Sequence, residues 1–400
     1  MDLAQVDLIN PDIFVPSVPH ELFAELRRTS PVFWHEEDEG PGFWSVMRHN
    51  DLVMVNRDSA TFSSYKGGSL MMSWEGDILE QQRMMMLNMD PPMHTRYRRL
   101  VNKGFTPRMV HELEARITER TQQLIAEARE KGEFDFVSDV AAELPLQVIA
   151  ELMGVPQEDR HKVFDWSNRM VGSNDPEFLE APELATAAAM ELFAYADALT
   201  VERKANPRDD LVSILAYAEI EGDQLSQLEI DMFFMLLAVA GNETTRNLLS
   251  HGMLALIENP DQRRLLVERP ELIDSAIEEM LRFASPVMHF RRTATRDTQI
   301  GSQAISEGDK VIFWHISANR DEDVFADPDR FDVARSPNDH VAFGGGGSHF
   351  CLGANLARVE IKIMFSELLR EMPDLELAGD VQRLRSNFIN GIKHLPVAVR

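Results

Sequence analysis

The chain has a single cysteine, Cys351, and the segment around it is the one best suited to chemistry. Four glycines in a row, Gly344 to Gly347, precede the cysteine and free the backbone from the usual steric limits. The sequence LGANLAR after it is typical of the start of a helix, and helix N-terminal amides lower the pKa of a nearby thiol. The sequence therefore predicts a stabilised thiolate at the end of a glycine loop.

Four interpretations of this loop are open from the residues alone. A lone cysteine is most often a small buried apolar residue. A nucleophilic cysteine needs a histidine base, and His349 is only two residues away, which is poor geometry for such a pair. A phosphate-binding loop would continue with Gly-Lys-Ser or Gly-Lys-Thr, and this one does not. Ligation of haem iron by the thiolate fits the glycine run, because a flat porphyrin must approach the backbone closely.

The loop resembles the cysteine-ligand signature of the cytochrome P450 monooxygenases. Phe343, the glycine run, His349, Cys351 and Gly353 carry the resemblance. The usual signature has its phenylalanine seven residues before the cysteine, whereas Phe343 stands eight before Cys351, as though one glycine were inserted. Members of the family that hydroxylate steroid and branched-lipid side chains share this extra residue, so the departure indicates a subgroup.

A second chemical constellation, AGNETT at 240–245, lies in the middle of a long helical pattern. Glycine inside a helix costs roughly 0.5–1 kcal/mol relative to alanine, and an unpaired buried carboxylate costs more. Two alternatives involve no catalysis. One is a helix kink whose polar groups are hydrogen-bonded, and the other is a glycosylation sequon that matches in sequence alone. The resemblance implies a proton relay beside dioxygen, in which Glu243 passes protons inward and Thr244 donates a hydrogen bond. Ala240 and Gly241 would then border the haem.

The resemblance also implies partners for the two haem propionates. His94 and Arg98 are four residues apart, so one helix face can present both, although an exposed basic face would have the same spacing. Arg292 matches the propionate arginine of the family, in preference to Arg291, because neighbours on a strand point to opposite faces. His349 is the fourth implied contact.

A further motif is structural in the family. Glu279 and Arg282 are three residues apart on one helix face, which by itself is usually a solvated ion pair of little energetic weight. In the family such a pair lies under the haem and joins an arginine of a Pro-Asp-Arg-Phe segment. The resemblance therefore implies that Glu279, Arg282 and Arg330 support the cysteine loop and take no part in catalysis.

The elements that must position these residues are mostly helices. The pattern predicts one domain over residues 1–400, mainly α with a small β portion. The predicted helices are 107–129 with Thr106-Pro107 at its start, 138–153 with Pro145 as a disturbance, 157–171, 182–204, 209–219, 226–258, 270–284 and 353–371. The predicted strands are 31–36, 42–47, 288–295, 298–305 and 310–316. The resemblance implies the cytochrome P450 fold, with haem between the long central helix 226–258 and the helix after the cysteine loop.

Composition excludes several function classes. Lys plus Arg is 40 and Asp plus Glu is 66, so the net charge of −26 argues against nucleic acid or an anionic membrane as the main partner. One cysteine excludes an intrachain disulfide and a four-cysteine zinc site. The N-terminal residues lack a secretory pattern, and the apolar run 232–241 is about half a membrane span. We therefore expect a cytoplasmic protein without a membrane anchor.

The resemblance implies a haem b monooxygenase that uses dioxygen. Since no flavin or nicotinamide fingerprint is present, the electrons would come from a ferredoxin and its reductase, docked near Arg99 and Lys103. A haem protein without turnover and a cysteine hydrolase are the alternatives from other classes.

The substrate is predicted to be apolar. The methionine-rich segment 69–93 fits either plain core filling or a flexible pocket lid. The stretches 86–108, 238–247 and 388–394 resemble enzymes that oxidise terminal methyl groups of cholesterol-type side chains, which favours a sterol over a smaller terpenoid, aromatic or fatty-acid substrate. The predicted pocket residues are Met72, Met86, Val239, Val287, Met288, Phe388 and Ile389.

Overall fold

A computed structural model describes residues 3–38, 40–105, 107–172, 174–178, 183–220 and 222–400. Helices dominate it, and the strands form one five-stranded sheet and several small ones. The predicted class, mainly α with a small β portion, is confirmed. Thr106, predicted to precede one helix, and residue 182, predicted to begin another, lie outside the described residues.

The helices agree closely with the hydrophobic periodicity. In the described residues they are α1 (His20–Thr29), α2 (His49–Arg57), α3 (Gly76–Gln82), α4 (Met93–Val101), α5 (Pro107–Lys131), α6 (Glu143–Met153), α7 (Arg160–Val171), α8 (Glu183–Ala205), α9 (Leu211–Ala216), α10 (Gln227–Glu258), α11 (Pro260–Glu268), α12 (Ile273–Ala284), α13 (His315–Ala318) and α14 (Ala354–Glu371).

Several predicted helices begin or end a few residues from their bounds in the structure, and two of these differences are informative. The helix expected from residue 138 starts as a π-helical turn, Val137–Ala141, and becomes α-helical only at Glu143. Pro145 then lies in the first turn of α6, where its missing N–H leaves no hydrogen bond unmade. The helix expected over 209–219 ends at Ala216 as α9, and the chain continues into a short strand.

The central helix α10 has 32 residues, about 48 Å at 1.5 Å per residue. A capping box fixes its start: the Ser226 side chain accepts from the backbone of Glu229, whose carboxylate accepts from the backbone of Ser226. The hydroxyl of Tyr97 from α4 also donates to Glu229. Gly241 lets α6 approach closely, because a Cβ there would lie 2.7 Å from the Ile149 side chain. These contacts fix the position of the 240–245 motif along the core.

The strands in the described residues are β1 (Val32–His35), β2 (Phe43–Val46), β3 (Phe62–Ser63), β4 (Glu133–Asp135), β5 (Glu219–Ile220), β6 (Asp223–Gln224), β7 (His289–Ala294), β8 (Thr298–Ile300), β9 (Gln303–Ile305), β10 (Lys310–Trp314), β11 (Glu376–Leu377), β12 (Gln382–Arg383), β13 (Ile392–His394) and β14 (Pro396–Ala398). The predicted N-terminal hairpin is β1 and β2. The single strand predicted over 298–305 was wrong: Gly301 has a φ of +57°, and the chain turns there to make the hairpin β8–β9.

The largest sheet has the strand order β1-β2-β10-β7-β3, in which β2 and β10 run parallel and the other pairs antiparallel. Within β7, Phe290 lies opposite Phe313 and Arg292 opposite Val311. Because side chains alternate along a strand, Phe290 and Arg292 share one face, and His289 and Arg291 share the other.

Helix α8 is the one helix of the described part that could cross a membrane by length and composition alone, over Leu184–Ala205. Only 22% of its most apolar stretch is buried, although the helix packs along α7, α9 and α10. The helix of a folded domain can meet the same criterion, so the absence of a membrane anchor stays a prediction.

Candidate active site

Cys351 faces a cavity between α10 and α14, which β7 and the end of α4 also border. Its thiol is accessible from the cavity yet enclosed by protein. The structure brings most of the predicted haem contacts to this one cavity: His94, Arg98, Ala240, Gly241, Thr244, Arg292, Phe343, His349, Cys351 and Gly353 all line it.

The glycine loop needs its glycines for conformation as well as for space. Gly344, Gly345, Gly346 and Gly347 all have positive φ, between +66° and +103°, a region that strains other residues. The turn they make brings the backbone N–H of Cys351 to within 3.0 Å of the Phe343 carbonyl oxygen. The loop therefore fixes where the sulfur points.

The surrounding protein does not by itself make Cys351 a thiolate. Burial raises the pKa of Cys351, while the backbone amides of Gly353 and Ala354 and the guanidinium of Arg98 act in the opposite direction. The expectation of a lowered thiol pKa was wrong, because burial outweighs the helix N-terminus. A metal ion would reverse this, since a coordinating thiol is deprotonated by the charge of the metal.

Two histidine rings pack against each other beside the cysteine, with their planes tilted by 48°. The His94 and His349 ring centroids are 4.2 Å apart, and the Ser64 hydroxyl lies 3.2 Å from Nε2 of His349. Burial lowers the pKa of His94 to about 4, with Arg98 and Arg292 adding to the shift, and burial likewise lowers the pKa of His349. Both rings are therefore neutral at pH 7 and can act as hydrogen-bond donors without adding charge.

Two guanidiniums face the same cavity without a carboxylate. Arg98 donates to the carbonyl of Ser348 at 3.2 Å, and buried Arg292 donates to Oδ1 of Asn56 at 2.6 Å and to the carbonyl of Arg291 at 2.7 Å. Neither makes an ion pair within the described part of the chain. A buried unpaired charge is strongly unfavourable, so the site fits a ligand with two anionic groups at this edge. A haem with two propionates meets that requirement.

The cavity also fits a flat ligand beside the cysteine. A Cβ built on Gly353 would meet no atom within 4 Å, so this position opens onto free space next to the sulfur. Phe343 and Gly353 on one side and Ala240 and Gly241 on the other leave a slot between the cysteine loop and α10.

The two residues of the predicted proton relay point in different directions. Thr244 borders the cavity, and its hydroxyl donates to the carbonyl of Ala240 at 2.8 Å. Glu243 is 1% exposed and faces α7, where it pairs with Arg246 and lies 3.5 Å from the Ser167 hydroxyl. Burial raises the pKa of Glu243, and Arg246 opposes that shift. The alcohol is thus at the cavity and the acid behind it.

The predicted structural triad needs one correction. Glu279 and Arg282 are fully buried and joined by two hydrogen bonds of 2.7 and 2.8 Å. The third side chain is Arg335, whose Nε lies 3.1 and 3.0 Å from the two carboxylate oxygens of Glu279. Arg330 has an exposed side chain and contributes its carbonyl, which accepts from Arg282 and Arg335. The prediction for the Arg330 side chain was therefore wrong.

The apolar wall above the cysteine contains only part of the predicted pocket. Met86 and Val287 line it. Ile389 pairs with Val287 as an isolated bridge, and Phe388 packs behind the wall with its ring centroid 5.7 Å from that of Phe290. Phe290 itself lines the cavity and was missed, although alternation from Arg292 along β7 would have found it.

Three pocket predictions were wrong about side-chain direction. Met72 is 59% exposed, and its carbonyl accepts from Arg291. Met288 is buried in the separate apolar cluster around Trp314. Val239 does not line the cavity, because the cavity face of α10 runs through Leu237, Ala240, Gly241 and Thr244 at helical spacing.

Other cavity residues were not found from the sequence. Asn56, from α2, and His315, after β10, line it near Arg292. Burial lowers the pKa of His315 to about 3, so its ring is neutral. Glu360 lies on the cavity face of α14, and burial raises its pKa to about 8, so this carboxyl is mostly protonated at neutral pH. The spacing of 353, 356, 357 and 360 is the helical signal that could have identified it.

Comparison with known proteins decides between the open interpretations of the loop. The family model for cytochrome P450 matches residues 32–373. The chain belongs to the cytochrome P450 family. It is therefore a haem-thiolate monooxygenase, and its cofactor is haem b. The predicted fold is confirmed as that of the family.

Three similar proteins place this P450 more narrowly. A steroid C26-monooxygenase of Rhodococcus jostii is 46% identical over 98% of this chain and 84% of its own length. A linalool 8-monooxygenase of Pseudomonas putida is 41% identical over 98% of each chain. The structure of a Mycobacterium marinum cytochrome P450 in complex with pseudoionone matches with a TM-score of 0.93 and 39% identity over 98% of each chain.

Different residues around the cavity would bind different parts of the cofactor. When bound, haem supplies the activation of dioxygen and the transfer of oxygen to the substrate. Cys351 would ligate the iron, and Arg98, Arg292, His94 and His349 would hold the propionates. The buried Glu279–Arg282–Arg335 group keeps the chain before the cysteine loop in place.

A comparison of two arginines tests the corrected triad. Arg335→Ala should destabilise the holoenzyme by about 1.5–3 kcal/mol, because it removes charged hydrogen bonds to the buried Glu279 carboxylate, which keeps its pair with Arg282. Arg330→Ala should stay within about 0.5 kcal/mol, because that side chain is exposed. Chemical unfolding, followed by circular dichroism, measures both. Equal losses for the two variants, or a larger loss for Arg330→Ala, would contradict the assignment.

Proposed function

We propose that this P450 hydroxylates a methyl group at the end of a branched isoprenoid chain, with a sterol side chain as its main substrate. The observation that carries the proposal is the wall above Cys351. It is built from apolar side chains of α6, α10 and β7, such as Val148, Leu237 and Phe290. The charged side chains among the described lining residues are Arg98, Arg292 and Glu360.

The names of the similar proteins support one shared chemistry. Carbon 26 of a sterol and carbon 8 of linalool are both methyl carbons at a branched terminus, and pseudoionone ends in the same branched group. In a saturated sterol side chain, a terminal methyl C–H bond is stronger than the C–H bonds of the neighbouring methylene and methine groups. Selective oxidation at the terminus therefore requires the wall to admit the chain end first and to hold it near the iron.

We assign proton handling to α10. Thr244 is placed to donate a hydrogen bond into the cavity once its bond to the Ala240 carbonyl is exchanged. Glu243 is placed one residue before it, where its proton can be renewed from the α7 side. The two would act in sequence, with the alcohol at the cavity and the acid as the source.

We further propose that a ferredoxin delivers the electrons on the cysteine side. Arg99 is exposed at the end of α4, close in sequence to the haem-facing Arg98. The side chain of Lys103, the other predicted docking residue, is outside the described residues. Because exposed opposite charges guide electron-transfer partners together, one exposed arginine can help ferredoxin to dock although the net charge of the chain is negative.

Substrate titration tests the proposed function. Purified holoenzyme that shows the red-shifted Soret band of a reduced carbon monoxide complex should shift from low to high spin with cholest-4-en-3-one. Turnover should place the hydroxyl on the terminal methyl. Cys351→Ala should lose the red-shifted band. A high-spin shift with linalool or a fatty acid, and none with the steroid, would overturn the sterol assignment and leave the monooxygenase.

A hydroxyl series tests Thr244. Thr244→Ala should oxidise reduced ferredoxin at a similar rate but release more peroxide and roughly tenfold less product. The loss stays below the 10²–10⁴-fold typical of general acid catalysis, because Thr244 is one of two groups in the proposed relay. Thr244→Ser keeps the hydroxyl and should restore most of the product. Product yields equal to wild type in Thr244→Ala would exclude the proposed role.

Charge reversal tests the docking proposal. Arg99→Glu should raise the KM for reduced ferredoxin severalfold at low salt, with little change in kcat, because it weakens encounter rather than chemistry. Arg264→Glu, at an exposed arginine of α11, is the matched control. A KM that does not depend on ionic strength or on Arg99 would argue for docking elsewhere.

A further inference from the structure

Asn56 joins two parts of the site that are far apart in the sequence. It is 3% exposed, near the end of α2. Its amide nitrogen donates to the carbonyl of Gly344 and, at 3.1 Å, to the carbonyl of Gly346. Its amide oxygen accepts from Nη2 of Arg292 at 2.6 Å. One side chain therefore bonds both the cysteine loop and the arginine that faces the cavity.

The match between Asn56 and its surroundings is chemically specific. A side-chain amide has two N–H donors and one carbonyl acceptor, and both donors and the acceptor are in use here. Aspartate has the same shape but no donors for the two loop carbonyls. Serine is shorter and offers one donor, and glutamine is longer by one methylene.

The end of α2 is shaped to the glycine loop as a whole. Arg57 donates from Nε to the carbonyl of Gly345 at 3.0 Å, so three successive loop carbonyls are bound by two adjacent residues. A Cβ on Gly347 would lie 2.7 Å from the backbone oxygen of Asn56. The loop, which is one residue longer than the usual signature, folds tightly around this end of the helix.

Arg292 depends on Asn56 for its direction. Its guanidinium is buried, has neutral acceptors at Asn56 and the carbonyl of Arg291, and makes no ion pair within the described residues. The remaining N–H groups are free to bind an anion from the cavity. Removing the Asn56 acceptor would let the guanidinium turn away from that anion.

We propose that Asn56 is a positioning residue that fixes Arg292 relative to the cysteine loop. A bound haem is thereby held in a set relation at its iron and at its propionate edge. The inference concerns the cofactor site and is independent of the proposed substrate.

The test compares holoenzymes with Asn56→Ala, Asn56→Asp and Asn50→Ala. Asn50 is an exposed asparagine on the same helix and serves as the matched control. Three readouts are measured: the rate of haem transfer to excess apomyoglobin, the thiolate fraction of the reduced carbon monoxide complex, and the ferric/ferrous midpoint potential.

Asn56→Ala should lose haem roughly tenfold faster, because it removes bonds to the loop and to a charged group, and its thiolate fraction should fall. Asn56→Asp should shift the potential to a more negative value than Asn56→Ala does, because its carboxylate offsets the charge of Arg292. Asn50→Ala should match wild type in all three. Haem transfer within twofold of the control for Asn56→Ala, or equal potentials for the two Asn56 variants, would overturn the proposal.

A double-mutant cycle with Arg292→Gln tests whether Asn56 acts by orienting Arg292 or only by holding α2 against the cysteine loop. If Asn56 acts through Arg292, the two effects on haem transfer are clearly smaller together than their sum. Additive effects would overturn the coupling. If Asn56→Ala does not incorporate haem, the same cycle is run with Asn56→Asp, which keeps the size of the side chain.

Discussion

The buried charges that surround Cys351 cannot be balanced by the polypeptide alone. Burial raises the pKa of the thiol, lowers the pKa of His94 to about 4, and lowers that of Arg292 to about 10. Each group facing the cavity is thus driven toward its neutral form, yet the guanidinium stays charged at pH 7. A cation at the sulfur and anions at the arginines relieve both imbalances together. Haem carries both an iron cation and two carboxylates, so its binding would relieve both imbalances.

Hydrogen bonds from two sides hold the cysteine loop and the chain that precedes it. The four left-handed glycines of the loop are held by α2 and by the bond from the Cys351 amide to the Phe343 carbonyl. On the other side Glu279 binds two arginines, and the extra positive charge is shared among backbone carbonyls such as those of Asn319 and Pro328. Charged and backbone hydrogen bonds fix direction better than apolar packing does, which suits a site that must present one sulfur atom to a metal.

Sequence reasoning succeeded where spacing alone determines geometry. His94 with Arg98 and Glu279 with Arg282 follow from the helical period. Strand alternation puts Arg291 and Arg292 on opposite faces, and the family resemblance selects Arg292. It failed where the outcome depends on which way a residue turns in an irregular segment. Arg335 replaced Arg330 because the chain between them folds back, and Met288 fell outside the cavity because regular β7 begins only at His289.

Asn56 shows a second kind of limit. It has no motif of its own, and its partners lie 236 and 288 residues later in the chain. Its importance arises only when α2, β7 and the cysteine loop meet. Contacts between residues so far apart leave no periodic signal in a single sequence. The glycine run that Asn56 binds, in contrast, is visible in the sequence directly.

The arrangement on α10 has a consequence for proton supply. Successive helical residues point about 100° apart, so placing Thr244 at the cavity turns Glu243 away from it, toward α7. There the acid is paired with Arg246, which also binds Asn168 of α7 at 2.8 Å. With the roles proposed for this pair, Glu243 could pass a proton to the cavity side only after its carboxylate has left Arg246 and taken up a proton from the α7 side. On that proposal, the packing of α7 on α10 would control proton supply. A substrate that changes how α7 packs would change the rate of protonation without contacting either residue.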